Sequence, residues 1–263
     1  MRELHRFFVP EHRVHRHYLV VSGEDVRHLV RVLRLGPGDR FLACSGSQEM
    51  IAEIERVDRG EVRARIVSRR PSLADPPVTV TLVQGLPKGE KMDLIIQKCT
   101  EIGVGRIIPV ITERCVVRWD AVKAGARRTR WEKIAREAAE QCGRGSAPRV
   151  GEVTGLREAL EQVAASDLCL LAWEGERGSG LKETLRKNPA AREVALLVGP
   201  EGGFGPGEVE MAFRAGFQPV SLGPRVLRTE TAGPAALAMI LYELGDLGGY
   251  TPEARAGAGG EEA

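Results

Sequence analysis

Charged side chains set among glycines are the part of this sequence best equipped for chemistry. Leu197-Val-Gly-Pro-Glu-Gly-Gly-Phe204 holds Glu201 inside one glycine-rich turn. Leu222-Gly-Pro-Arg-Val-Leu-Arg-Thr-Glu-Thr-Ala-Gly-Pro234 holds Arg225, Arg228 and Glu230 in a second. Gly199, Gly202 and Gly203 permit close backbone approach and positive φ. A helix leaving such a turn could offer free N–H groups to an anion. Yet neither G-x-x-x-x-G-K-[ST] nor a G-x-G-x-x-G opening the first βα unit occurs. Glu201 would repel phosphate and suits a cationic or hydroxyl-bearing ligand. Turn geometry alone would explain one such loop. Two in succession, with arginines and a glutamate between them, point to a binding site.

The elements around these turns have a pattern of their own. The apolar, β-rich run from Val194 feeds the first turn, and a helix-like run, Glu208 to Phe213, leaves it. A short strand, Pro219 to Leu222, feeds the second, and an apolar helix from Pro234 to Leu244 leaves it. In an open α/β sheet, loops after the carboxyl ends of strands are where ligands bind. Upstream, strands at 78–82, 106–112 and 168–173 alternate with helices at 88–102 and 127–142. That alternation implies a mostly parallel sheet covered on both faces. Residues 1–70 differ, with short strands at 18–21, 40–44, 50–54 and 62–67. One helix interrupts them, with Ser22 as its expected N-cap and Val26, Leu29, Val30 and Leu33 on one face. Such a unit reads as a small RNA-binding barrel. Residues 71–77 are a proline-rich linker, 78–247 the α/β domain, and 248–263 a tail of Gly, Ala and Glu expected to be disordered.

Charge is distributed unevenly along the 263 residues. Lys+Arg less Asp+Glu is 38 − 36, or +2. All five histidines, and Arg2, Arg6, Arg13, Arg16, Arg27, Arg31 and Arg34, nevertheless precede residue 35. Glu3, Glu11, Glu24 and Asp25 are their only acidic neighbours. This patch suggests a polyanionic partner, against the plainer reading of a solvated arginine-rich face. Cysteines 44, 99, 115, 142 and 169 are odd in number and form no C-x-x-C pair, which argues for a reducing compartment. His12, His15 and His17 lack a cysteine or carboxylate cluster, so no metal is expected. The charged amino end does not read as a signal peptide, and no run reaches membrane-spanning length, so a cytoplasmic protein is expected.

The two glycine-rich segments resemble the paired signature motifs of the 16S rRNA (uracil-1498-N3)-methyltransferase family, in the knotted SPOUT superfamily. The similarity extends to His5-Arg-Phe-Phe8, the His28–Arg34 run with Gly38-Asp39, the stretch from Gln84 to Gly103, Glu113-Arg114, and Trp131-Glu-Lys-Ile134 through Glu140-Gln141 to Arg144. The resemblance implies a PUA-like barrel followed by a trefoil-knotted α/β methyltransferase domain acting as a homodimer. It implies S-adenosylmethionine held by Leu197, Gly199, Pro200, Glu201, Gly202, Gly203, Leu222, Gly223, Val226, Leu227, Thr231 and Ala232. The reaction would be methylation of N3 of uridine 1498 in 16S rRNA of the small ribosomal subunit. Uracil N3 carries a proton at neutral pH, so an enzyme must remove it or stabilise the negative charge developing on O2 and O4. Arg228 is expected to stabilise that charge, and Glu230 to orient Arg228 or take the proton; a structural ion pair is the alternative for both. Arg6, His28, Arg31, Arg34, Arg114 and Arg144 are the expected RNA contacts. A non-catalytic RNA-binding protein, and an α/β enzyme for a nucleotide or sugar phosphate, remain the other classes. The final helix, apolar nearly all round, is expected to offer Ala236, Met239 and Ile240 as a dimer contact.

Overall fold

The computed structural model describes residues 4–46, 48–72, 75–116, 119–176 and 178–249. Apart from Gly248 and Gly249, the expected tail lies outside them. The chain divides into two compact units, with the boundary at Asp75/Pro76. The first unit also takes in Ala139–Ala147.

In the first unit the strands are β1 (Arg6–Phe8), β2 (Tyr18–Ser22), β3 (Arg40–Ser45), β4 (Gln48–Asp58) and β5 (Glu61–Pro71). They form one sheet in the order β1-β3-β4-β5-β2, with β1 parallel to β3 and the other pairs antiparallel. Period-two burial builds its core: Met50, Ala52 and Ile54 from β4, Val62 and Ala64 from β5. Helix α1 (Glu24–Arg27) follows β2 and continues as a π-helical turn, His28–Val32. Its N-cap is Gly23 rather than Ser22, because Ser22 is still paired with Glu61 in the β2–β5 ladder. Val26 and Leu29 are buried, while Arg27, His28, Arg31 and Arg34 are exposed.

The second unit runs β6 (Thr79–Gly85), α2 (Lys91–Ile102), β7 (Arg106–Ile111), α3 (Ala121–Cys142), β8 (Arg149–Val150), β9 (Thr154–Gly155), α4 (Leu156–Gln162), β10 (Leu168–Ala172), α5 (Leu181–Lys187), β11 (Glu193–Val198), α6 (Pro206–Arg214), β12 (Gln218–Val220) and α7 (Thr229–Leu244). The sheet is parallel throughout, in the order β12-β10-β11-β6-β7-β8, with β9 beside β7. Alternate residues of the central strands feed two cores. Val194, Leu196 and Val198 pack with α2, α5 and α7; Ala195 and Leu197 pack with α4 and α6. Burial on both faces explains the continuous apolar run of β11. No helix among the described residues is long and apolar enough to cross a membrane.

One boundary matters for the site. Helix α7 begins at Thr229, not at Pro234 as expected, and Pro234 lies inside it. Arg228 is the extended N-cap, and its carbonyl accepts hydrogen bonds from the N–H groups of Thr231 and Ala232, both at 2.8 Å. Arg228, Glu230 and Thr231 therefore sit at the head of a helix and not in a free loop.

Candidate active site

Each glycine-rich segment follows the carboxyl end of a strand, the first after β11 and the second after β12. These strands flank β10, so both segments emerge on the same edge of the parallel sheet. The first loop closes tightly. Gly203 N–H donates to Pro200 O at 2.9 Å, and Gly203 has φ +66°. Glu208 ends the loop by accepting the Gly205 N–H at 2.8 Å at the start of α6. Below the loop, Gly85 at the end of β6 leaves room for Pro200: a Cβ on Gly85 would lie 2.5 Å from Pro200 Cδ.

A buried hydrogen-bond chain joins the two segments. Gln84 Nε2 donates to Thr229 Oγ1 at 2.9 Å, and Thr229 Oγ1 donates to Gly199 O at 2.7 Å. Gln84 and Thr229 are buried at 0% and 5% exposure, so neither bond has water to compete with it. This chain links β6, the loop after β11 and the head of α7.

The two segments enclose a pocket of about 370 Å³. Of the expected cofactor residues, Gly199, Pro200, Glu201, Gly203, Leu222, Gly223, Val226, Leu227 and Ala232 line it, as does Arg228. Leu197, Gly202, Thr231 and Glu230 do not. Leu197 points instead into the core shared with α4 and α6. Gly202 packs against Arg114, whose Nη1 donates to Gly202 O at 2.9 Å. Thr231 is exposed on α7. Glu230 lies behind the pocket wall, 3.1 Å from Lys91 Nζ.

Lys91, Trp173 and Glu174 also line the pocket, and sequence reasoning missed all three. The signal for Lys91 was present in the lysine-bearing turn after Gln84, but nothing local tied it to residue 201. Its ammonium lies 2.9 Å from Glu201 Oε1. The Lys88 backbone N–H also donates to the Glu201 carboxylate, at 3.2 and 3.3 Å. Burial pushes Glu201 up, but Lys91 and the backbone N–H groups outweigh it and hold the carboxyl below its usual range. Glu230 is held low as well, first by its own backbone N–H, then by Lys91 and Arg228, against the effect of burial. The adjacent carboxylates of Glu201 and Glu230 raise the Lys91 pKa and keep it a firm ammonium.

Apolar Val198, Phe204, Leu222 and Leu227 and polar Glu174, Glu201 and Arg228 together line the pocket. A flat apolar group with a polar, partly cationic end matches that lining, and the volume falls in the range typical of small-molecule sites. The donor set therefore fits an adenosyl group carrying a sulfonium.

The sequence matches the RNA methyltransferase domain family over residues 74–241 and the RNA methyltransferase PUA domain over residues 21–67. The Ribosomal RNA small subunit methyltransferase E of Bacillus subtilis (strain 168) is 36% identical, over 85% of this chain and 89% of that one. The protein of that name from Mycobacterium tuberculosis (strain CDC 1551 / Oshkosh) is 35% identical, over 84% and 85%. The chain belongs to the ribosomal RNA small subunit methyltransferase E family. The crystal structure of the Neisseria gonorrhoeae member bound to S-adenosyl methionine superposes with a TM-score of 0.81 at 34% identity, covering 93% of this chain and 99% of that one. A putative methyltransferase from Legionella pneumophila in complex with the same cofactor gives 0.81 at 35%, covering 93% and 100%. The fold class expected of the family, a PUA domain followed by a SPOUT α/β domain with a mostly parallel sheet, is the one present.

The expected RNA contacts of this family member divide into two groups. His28, Arg31, Arg34 and Arg114 are exposed. Arg6 and Arg144 are engaged in ion pairs within the first unit. Arg6 Nη1 lies 2.7 Å from Glu49 Oε1 and donates to Arg144 O at 2.9 Å. Glu49 is 4% exposed and needs cations beside it; Arg70 supplies a second at 2.7 Å. The Arg144 side chain is 6% exposed and ion-paired with Asp75 at 3.2 Å. Both arginines tie segments of the first unit together.

Proposed function

We propose that this protein transfers the methyl group of S-adenosylmethionine to N3 of uridine 1498 in 16S rRNA of the small ribosomal subunit. The observation that carries the reading is the convergence of both glycine-rich segments and Arg228 on one pocket. Relatives named for small-subunit rRNA methylation, and neighbours crystallised with the cofactor, support it. Gly199, Gly203, Leu222, Leu227 and Ala232 would hold the adenosyl part, and Glu174 and Glu201 favour its cationic end. When bound, the cofactor supplies an activated methyl group. The chain's own work is to bring N3 in line with that methyl and to stabilise the charge left as N3 loses its proton. Positioning can contribute roughly 7–11 kcal/mol to lowering such a barrier. Arg228, exposed at the pocket edge, is suited to the developing charge on O2 or O4. Glu230, held below the usual carboxylate range, is a weak proton acceptor and suits orientation better. Arg31, Arg34, His28 and Arg114 would contact the RNA. The active form is a cytoplasmic homodimer. The test is incubation of the purified protein and labelled cofactor with small subunits from a strain lacking this activity, followed by mass mapping. N3-methyluridine at 1498 is expected; label at another nucleotide, or none, overturns the assignment.

A further inference from the structure

Lys91 is the first residue of α2, and its ammonium sits between two carboxylates from elements remote in sequence. Glu201 comes from the loop after β11, and Glu230 from the first turn of α7. Among the described residues, no other cation lies within ion-pair distance of either carboxylate. The side chains are 34%, 29% and 15% exposed for Lys91, Glu201 and Glu230, so water screens the trio only in part. Without the ammonium, two like charges would face each other across the pocket wall and push the loop and helix apart. Glu230 lies two residues beyond Arg228, so any shift at the head of α7 moves that guanidinium.

We propose that Lys91 is a positioning residue for methyl transfer, its ammonium clamping the cofactor loop at Glu201 to the first turn of α7 at Glu230 and so fixing the distance from that loop to Arg228. The assignment rests on the methyltransferase reading above. A lysine ammonium is a compact point charge, and here it lies within ion-pair distance of both carboxylates. The geometry needs a cation able to bridge; it does not need an amine that gives up a proton.

The test uses the full chain with small subunits, measuring cofactor affinity by calorimetry and kcat and KM for RNA. Lys91→Met should lower kcat by about 100-fold, the cost of a misplacement near 1 Å, with KM for RNA unchanged. Cofactor binding should weaken as the loop is released. Lys91→Arg, which can bridge both carboxylates, should restore kcat to within about fivefold of the wild type. Wild-type kcat in Lys91→Met overturns the clamp, as does folded Lys91→Arg that is no more active than Lys91→Met. Should Lys91→Met not fold, Lys91→Arg alone decides: active supports the clamp, inactive overturns it. Wild-type protein that binds cofactor but methylates nothing counts against the methyltransferase reading instead. The clamp then stands or falls on whether Lys91→Met weakens cofactor binding.

Discussion

Gly203 lies in the left-handed region at φ +66°, and a Cβ there would meet only Glu174 Oε1, at an ordinary 3.5 Å. Backbone conformation and not space therefore excludes a side chain. A left-handed residue other than glycine costs about 1–2 kcal/mol, and a β-branched one more. Gly203→Val should abolish cofactor binding in calorimetry while circular dichroism stays native. Gly203→Asn, which tolerates this region, should retain part of the affinity. Unchanged affinity in the valine variant would remove the loop from the site. Arg228 calls for a different measurement, because its role lies in the transition state. Losing one preorganised donor costs about 10²–10³ in kcat, so Arg228→Gln should fall by that factor with cofactor affinity kept. A drop in affinity with kcat unchanged would make Arg228 a binding residue only.

The arginines of the π-helical turn belong to the scale of the element. Arg31 and Arg34 are exposed, and Arg34 ends the turn at φ +57°. If they pair with phosphates, replacing both with alanine should weaken RNA binding and flatten its salt dependence. The slope should drop by roughly 0.7–0.9 for each phosphate that is no longer neutralised, with cofactor affinity unchanged. A slope equal to wild type would leave them a solvated face. The inward set of this element, Val26 and Leu29, was legible from its spacing. Its start was not, because strand pairing extends through Ser22, and pairing is a long-range fact. The start of α7 was hidden for a related reason. Pro234 reads as a first helical residue, yet five residues from Thr229 precede it in the helix. The same limit concealed the Gln84–Thr229–Gly199 chain and the Lys91 bridge. Periodicity and motif spacing report neighbours along the chain, and these partners meet only once β6, β11 and α7 are side by side. The ion pairs of Arg6 and Arg144 were hidden because composition counts charge without saying which charges lie beside Glu49 and Asp75.

At the scale of the whole molecule, α7 presents an outward face that the protomer leaves uncovered. Its inner residues Ala236, Leu237, Ile240 and Leu241 are fully buried against the sheet and against α2 and α5. This corrects the expectation that Ala236 and Ile240 would meet a partner, since the sheet and its own helices already take them. Met239 and Tyr242 stay 40% and 69% exposed. With Thr231, Ala235 and Ala238 they follow helical spacing along one side, which is apolar but for the Thr231 hydroxyl and the Tyr242 tip. A face of this kind at the head of a pocket-forming helix gains by being covered, and a second copy about a two-fold axis would cover it with the same residues. Because Thr231 and Arg228 lie at one end of this helix, such a dimer contact would share an element with the cofactor site. Activity should therefore depend on assembly. Met239→Glu, and independently Tyr242→Glu, should give monomers in sedimentation with methyl transfer greatly reduced and thermal unfolding still cooperative. Neither side chain is part of the core, so a folded monomer is the expected product of each change. A variant that sediments as a monomer yet keeps full turnover would uncouple assembly from catalysis, and a variant that stays dimeric would move the interface to another face.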